Sequence, residues 1–163
     1  QYKYFFAQLK NPQLNLEITP IGVSGIIIDE KNNTLFAIRQ NVTEYNDYYE
    51  LIPAGSIDSS QRDGNNILFQ NQLVTEFEEE TNMSKGNIKS LTPFCLIFDK
   101  THGVYDICAE IHVNGLIKNK LSTKQNEEYR NIEIMDLNIL LDSAEKNKFV
   151  PTSVIILNHI GTA

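Results

Sequence analysis

The sequence predicts an α+β fold, with helices packed on a mixed sheet, and three observations carry that prediction. Apolar, β-branched runs at Ile21–Asp29, Thr34–Gln40, Ile88–Asp99 and Val104–Val113 read as strands. Between the first two runs and the last two lies one stretch with helical spacing and an acidic face, Gln72–Met83. Helical patterns close the chain from Leu137 onward. At 163 residues the chain is expected to form one domain, 1–163, with a sizeable core.

Taken in order, Gln1–Pro20 begins with an aromatic run, Tyr2, Tyr4, Phe5 and Phe6. Its readings are core packing, an edge strand or a homodimer contact. Ile21–Asp29 is apolar throughout, as a buried strand is. The polar turn Glu30–Asn33 leads by a hairpin connection into Thr34–Gln40. Val42–Asp47 is rich in turn formers, and Tyr48–Ile52 is a strand entering Pro53-Ala54-Gly55. Ser56–Asn66 is a polar, glycine-bearing loop.

The helix is expected over Asn66–Thr81, with Asn82 suited to a left-handed C-cap. Ser84–Asn87 breaks it, Ile88–Asp99 runs as a long strand, and Val104–Val113 returns after the turn Lys100–Gly103. Within the returning strand Tyr105, Ile107, Ala109 and Ile111 share one face, and Asp106, Cys108, Glu110 and His112 the other. Lys118–Arg130 is a polar loop and Ile132–Met135 a short strand. Leu137–Asn147 is an amphipathic helix with Asp136 as N-cap, and Pro151 opens a final helix through Val154, Ile155 and Leu157 to His159.

Composition narrows the function classes. A net charge of −7 argues against a nucleic-acid backbone or an anionic membrane surface as partner. The same charge is awkward for a protein that handles phosphates unless bound metal neutralises the site. Cys95 and Cys108 each sit in an apolar run and are expected as reduced core residues. No apolar stretch reaches the roughly 18 residues of a membrane span. A cytoplasmic location is the expectation, with a removed leader left open because Gln1 is not a natural start.

On a helix, Glu76, Glu79 and Glu80 fall on one face at i, i+3 and i+4, beside Leu73, Val74 and Phe77, while Glu78 points away. Three like charges at this spacing repel and destabilise a bare helix. A divalent cation reverses that sign, because magnesium and calcium take hard oxygen ligands. A solvated acidic face is the alternative.

Upstream, Tyr49-Glu50-Leu51-Ile52-Pro53-Ala54-Gly55 reads as a strand ending in a turn. Together with the acidic helix it resembles the Nudix hydrolase family, whose signature is G-x5-E-x7-R-E-U-x-E-E-x-G-U, with U a bulky aliphatic residue. Gly55 matches the first glycine, and Glu76, Phe77, Glu79, Glu80 and Met83 match E, U, E, E and the final U in register. Four departures stand out: the loop after Gly55 is six residues longer, Ile67 lies near the first glutamate's place, Thr75 replaces the arginine and Asn82 the second glycine. In the family that arginine helps to orient a catalytic glutamate. The Y-E-L-I-P-A-G run is similar to the box of nucleoside-diphosphate-sugar pyrophosphatases.

The resemblance implies the family's α/β/α sandwich and a metal-dependent hydrolase of a nucleoside diphosphate linked to another moiety, an ADP-sugar type among them. It implies Mg2+ or Mn2+ held by Glu76, Glu79, Glu80 and the Ala54 carbonyl. Glu79, Glu76 and Glu128 are then the candidates for the base, with Glu127 next to Glu128. Arg39, Gly55 and Glu110 are candidate substrate contacts, in the neighbourhood of Tyr45–Tyr49. Ordinary surface positions are the alternatives for Arg39, Glu110 and Glu128. Arg62 is a candidate stand-in for the lost arginine, whereas His102 and His159 have no partner spacing and are given no chemistry. A small-molecule diphosphate is the expected partner. A Nudix-fold binding or regulatory domain with little turnover, and a metal-free domain, are the competing readings.

Overall fold

The computed structural model describes residues 2–119, 127–143 and 148–162. The opening aromatic run is a helix, α1 (Tyr2–Lys10), rather than an edge strand. Ala7, Gln8, Leu9 and Lys10 are good helix formers and outvote the aromatics. The core-packing expectation holds for Phe5, which is buried, whereas Tyr4 is exposed. Gln8 ties the helix to the next segment, exchanging two 3.0 Å hydrogen bonds with the backbone of Ile18.

Strand β1 (Ile21–Ile28) is the spine. Val23 and Ile27 point into one core and Ile26 and Ile28 into another, so the apolar run reflects burial on both faces. It lies between β4 (Ala54–Ser56), antiparallel, and β8 (Val104–Val113), parallel; β8 in turn pairs antiparallel with β7 (Ile88–Asp99). The result is a mixed four-stranded sheet, β4-β1-β8-β7.

The expected hairpin between β1 and β2 (Asn33–Arg39) does not form a ladder. Both edges of β1 are already taken, so β2 pairs with β3 (Tyr49–Leu51) and β9 (Tyr129–Asp136) in a second, three-stranded sheet. Asp29 holds the tight reversal between them, accepting the backbone N–H of Lys31 and Asn33 at 2.8 and 2.9 Å and that of Ile117 at 3.1 Å.

Helix α2 (Phe69–Thr81) buries Leu73 and Phe77, one turn apart, against Val23, Ile27 and Ile111. It begins three residues later than expected, because Asn66–Ile67 (β6) pairs with Arg62–Asp63 (β5) in a small ribbon. It ends on Asn82, in the left-handed region at φ 54°, whose N–H bonds the Glu78 carbonyl. On the opposite side α3 (Leu137–Ser143) and α4 (Pro151–Thr162) close the second core through Leu137, Leu140, Ile156 and Leu157. This is the α/β/α layering. Asp136 caps α3 by accepting the Asn138 N–H at 2.9 Å; the expected end of that helix, 144–147, lies outside the described residues.

Strand β9 starts at Tyr129 rather than Ile132, since the buried Tyr129 pairs with Arg39. Cys95 and Cys108 face each other across β7 and β8 as free thiols, Cys108 fully buried. Among the described residues no helix is long and apolar enough to cross a membrane.

Candidate active site

The turn that ends β3 and begins β4 brings Gly55 under the middle of α2. A Cβ built on Gly55 would lie 2.0 Å from Glu76 Oε1, so the carboxylate rests directly on the glycine. The same Oε1 accepts a 2.7 Å hydrogen bond from Gln72 Nε2, one turn earlier on α2. Burial raises the Glu76 pKa, Gln72 opposes that, and the charges of Glu79 and Glu128 add to it.

Glu80, one turn beyond Glu76, is buried and accepts the Ala54 N–H at 3.1 Å. Burial, then the charges of Glu50 and Glu76, hold it well above the usual carboxylate range. Glu79 is exposed, and Glu78 turns the other way to accept the Lys85 N–H at 2.7 Å. The face read from the spacing is therefore the face presented.

Glu76 and Glu79 line a cavity of about 880 Å³, together with Ala54, Gly55, Arg39 and Glu128. Of the other expected site residues, the buried Glu80 and also Glu110 and Glu127 are not on the cavity wall. The Glu110 carboxylate pairs with His112 Nε2 at 3.3 Å and is not part of the cavity wall. Arg62 does not substitute for an arginine at position 75: it bonds the Gly64 carbonyl within its own ribbon and is exposed. Thr75 turns back to its helix, donating to the Asn71 carbonyl at 3.0 Å.

Arg39 is committed to a buried partner. Its Nη1 bonds both Glu50 oxygens at 2.7 and 2.8 Å, and Tyr129 donates its hydroxyl to Glu50 Oε2 at 2.7 Å. Burial raises the Glu50 pKa, and Arg39 and Tyr129 oppose that. The β2–β3 loop is clamped beside Glu128 by Gln40, whose N–H bonds the Glu128 carbonyl at 2.8 Å.

On the far wall Tyr45 was expected near the site, whereas Asp99, His102 and Asp106 were not. Asp99 Oδ2 lies 2.7 Å from His102 Nδ1, and the Tyr45 ring meets the His102 ring edge-on at a centroid distance of 5.1 Å. Burial pushes Asp99 up, and the bonds from His102 and two backbone N–H groups more than offset it. Asp106 takes the Thr152 hydroxyl of α4 at 3.1 Å and presses on Gly22, where a Cβ would stand 2.3 Å from Oδ1. Burial raises its pKa despite the Thr152 bond.

The architecture has known counterparts. The chain aligns over 96% of its length with 96% of the NUDIX domain of Shewanella oneidensis NrtR, crystallised with ADP ribose, at a TM-score of 0.68 and 12% identity. The chain has the Nudix hydrolase fold. A MutT NUDIX hydrolase from Burkholderia pseudomallei aligns at a TM-score of 0.61 and 14% identity, over 87% of this chain and 98% of that one. A C. elegans Ap4A hydrolase aligns at 0.59 and 14%, over 88% and 96%. No family model matches the sequence, and no curated protein is significantly similar to it. At such identities the likeness concerns the Nudix fold, and function has to be argued from the site.

Nudix hydrolases generally use divalent metals, and the donor set here suits a hard cation. It is all oxygen, and burial with neighbouring carboxylates, Glu79 and Glu128 for Glu76 and Glu50 and Glu76 for Glu80, holds both above the usual carboxylate range. Among the described residues the arginine on the wall is Arg39, which is already bound to Glu50. Among the described residues no group of three histidine, cysteine, aspartate or glutamate side chains stands converged to hold a metal ion.

Proposed function

We propose that the protein is a metal-dependent hydrolase that cleaves the diphosphate linkage of a nucleoside diphosphate joined to a second moiety. The observation that carries this reading is the seating of Glu76 on Gly55, beside Glu79 and above Glu80, at the wall of one deep cavity. Its volume, about 880 Å³, is within the range of small-molecule sites and suits a nucleotide-sized ligand.

Glu76, Glu79 and Glu80, with the Ala54 carbonyl, would hold Mg2+ or Mn2+. Such an ion supplies neutralisation of the diphosphate and a lowered pKa for water. Glu79, exposed in the cavity, takes the proton from the attacking water; Glu128 is the second candidate for that role. The water oxygen forms a bond to one phosphorus as the bond to the bridging oxygen breaks, and a nucleoside monophosphate leaves with the phosphorylated second moiety. Gly55 keeps Glu76 in place and also lines the cavity, where a substrate can reach it. Arg39 organises Glu50 and the wall of the cavity.

The far wall carries Glu44, Asp99 and Asp106, with His102 paired to the first two. Acceptors of this kind suit hydroxyl or amino groups, as on a sugar, and disfavour a further phosphate. This supports the ADP-sugar class, with ADP-ribose as the first compound to assay.

The test is product analysis in water enriched in 18O. Magnesium-dependent release of AMP from ADP-ribose, with one labelled oxygen on a product phosphate, is the expected outcome. Intact ADP-ribose, ADP-glucose and diadenosine tetraphosphate after prolonged incubation would overturn the hydrolytic reading and leave a binding domain.

A further inference from the structure

Gln72 is a buried polar side chain at the cavity wall. It is 6% exposed, next to the fully buried Leu73 and one turn before Glu76. Its amide makes one hydrogen bond among the described residues, from Nε2 to Glu76 Oε1 at 2.7 Å, and its Oε1 is buried without a partner. The orientation of the amide is dictated by chemistry: a carboxylate only accepts, so the NH2 must face Glu76 and the carbonyl must face away. An unsatisfied buried carbonyl destabilises the fold, and a methionine or leucine here would pack without that loss. Fold stability therefore does not explain a glutamine at this position.

We propose that Gln72 is a positioning residue, holding the Glu76 carboxylate in one orientation for the chemistry of the site. Residues 72 and 76 share a helix face at i and i+4, which sets the donor one turn from its acceptor. Gly55 bounds the same carboxylate from below, since a Cβ there would reach to 2.0 Å of Oε1. Held from two sides through Oε1, Glu76 keeps Oε2, which accepts no bond from any described residue, for whatever binds in the cavity. Thr75 cannot share this task, because its hydroxyl is spent on the Asn71 carbonyl. A ligand-bearing carboxylate fixed before binding loses less freedom when the ligand arrives. This inference rests on reading α2 as the hydrolytic site.

Three measurements on the whole chain test it, comparing wild type with Gln72→Met, and with Gln72→Leu as a second packing of the same site. In 1H–15N spectra the Gln72 side-chain NH2 signals are expected to be shifted downfield, protected from exchange, and displaced by Glu76→Gln. Without metal, both apolar variants are expected to melt at or above the wild-type temperature. Manganese binding, followed by electron paramagnetic resonance, is expected to weaken about tenfold, and kcat to fall by a similar factor with KM within about twofold. An ordinary, exchanging Gln72 amide overturns the proposal. So does a wild type that binds manganese and turns over while Gln72→Met does both equally well, or a loss that tracks a lowered melting temperature. A wild type that neither binds manganese nor hydrolyses any diphosphate overturns the underlying reading, and the positioning role falls with it.

Discussion

The Glu76 carboxylate occupies the space where a side chain on residue 55 would stand, with Oε1 2.0 Å and the carboxyl carbon 2.2 Å from a Cβ built on Gly55. No rotation of a methyl group relieves such an overlap, so Gly55→Ala must push Glu76 or the turn aside. Displacement of a reacting group by about 1 Å lowers turnover roughly 100-fold. Gly55→Ala is therefore expected to keep its far-ultraviolet circular dichroism and to lose about two orders of magnitude in kcat. Unchanged turnover in this variant would show that the seat of Glu76 is immaterial.

Glu50, Glu76 and Glu80 are all held above the ordinary carboxylate value of 4.5, with burial the first cause in each. A raised acid binds more protons folded than unfolded, so its contribution is present below pH 4.5 and is lost as pH rises through the folded value. Metal-free protein is expected to melt at a lower temperature at pH 8 than at pH 5.5. Glu80→Gln should recover about 1 kcal/mol at pH 8, a rise of roughly 2–4 °C for a chain of this size. Calorimetry at the two pH values checks this, and a melting temperature that rises between them would contradict it.

The Arg39–Glu50 pair is a stability device as well as a wall of the cavity. Arg39→Met leaves Glu50 buried without its cation. The expected cost is about 3 kcal/mol, at the low end for broken buried pairs because the Arg39 side chain is 23% exposed. Tyr129→Phe removes one neutral-to-charged hydrogen bond and should cost about half as much. Urea midpoints at unchanged m report both values.

Glu110→Gln provides the contrast. Its carboxylate pairs with His112 away from the cavity wall. Its kcat/KM is expected to stay within about twofold of wild type, since surface changes of this kind fall within about 0.5 kcal/mol. A tenfold loss would bring Glu110 into the site after all.

Much of this was legible in local pattern. The bounds of β7 follow from its apolar centre and those of β8 from its partial alternation, and Asn82 and Asp136 cap their helices as residues of their type do. The acidic face of α2 follows from helical spacing alone. What was not legible depends on distant pairing. Nothing in Ile21–Arg39 shows that both edges of β1 are taken, by β4 and β8, so a hairpin was the natural reading. Tyr45 and His102 meet across 57 positions of sequence. Asp106 shares a strand face with Glu110, yet Thr152 of the last helix reaches only Asp106. Nothing in the sequence singles out Gln72, and only its burial beside Glu76 shows what it touches.

The most direct test of the hydrolytic assignment is turnover of ADP-ribose by wild type and Glu79→Gln, with magnesium and with chelator. Wild-type release of AMP that needs magnesium, reduced at least about 100-fold in Glu79→Gln, is the expected result. Turnover that survives both chelation and Glu79→Gln would contradict the assignment of chemistry to α2. No turnover with magnesium in the wild type, across the diphosphate panel, would contradict hydrolysis itself.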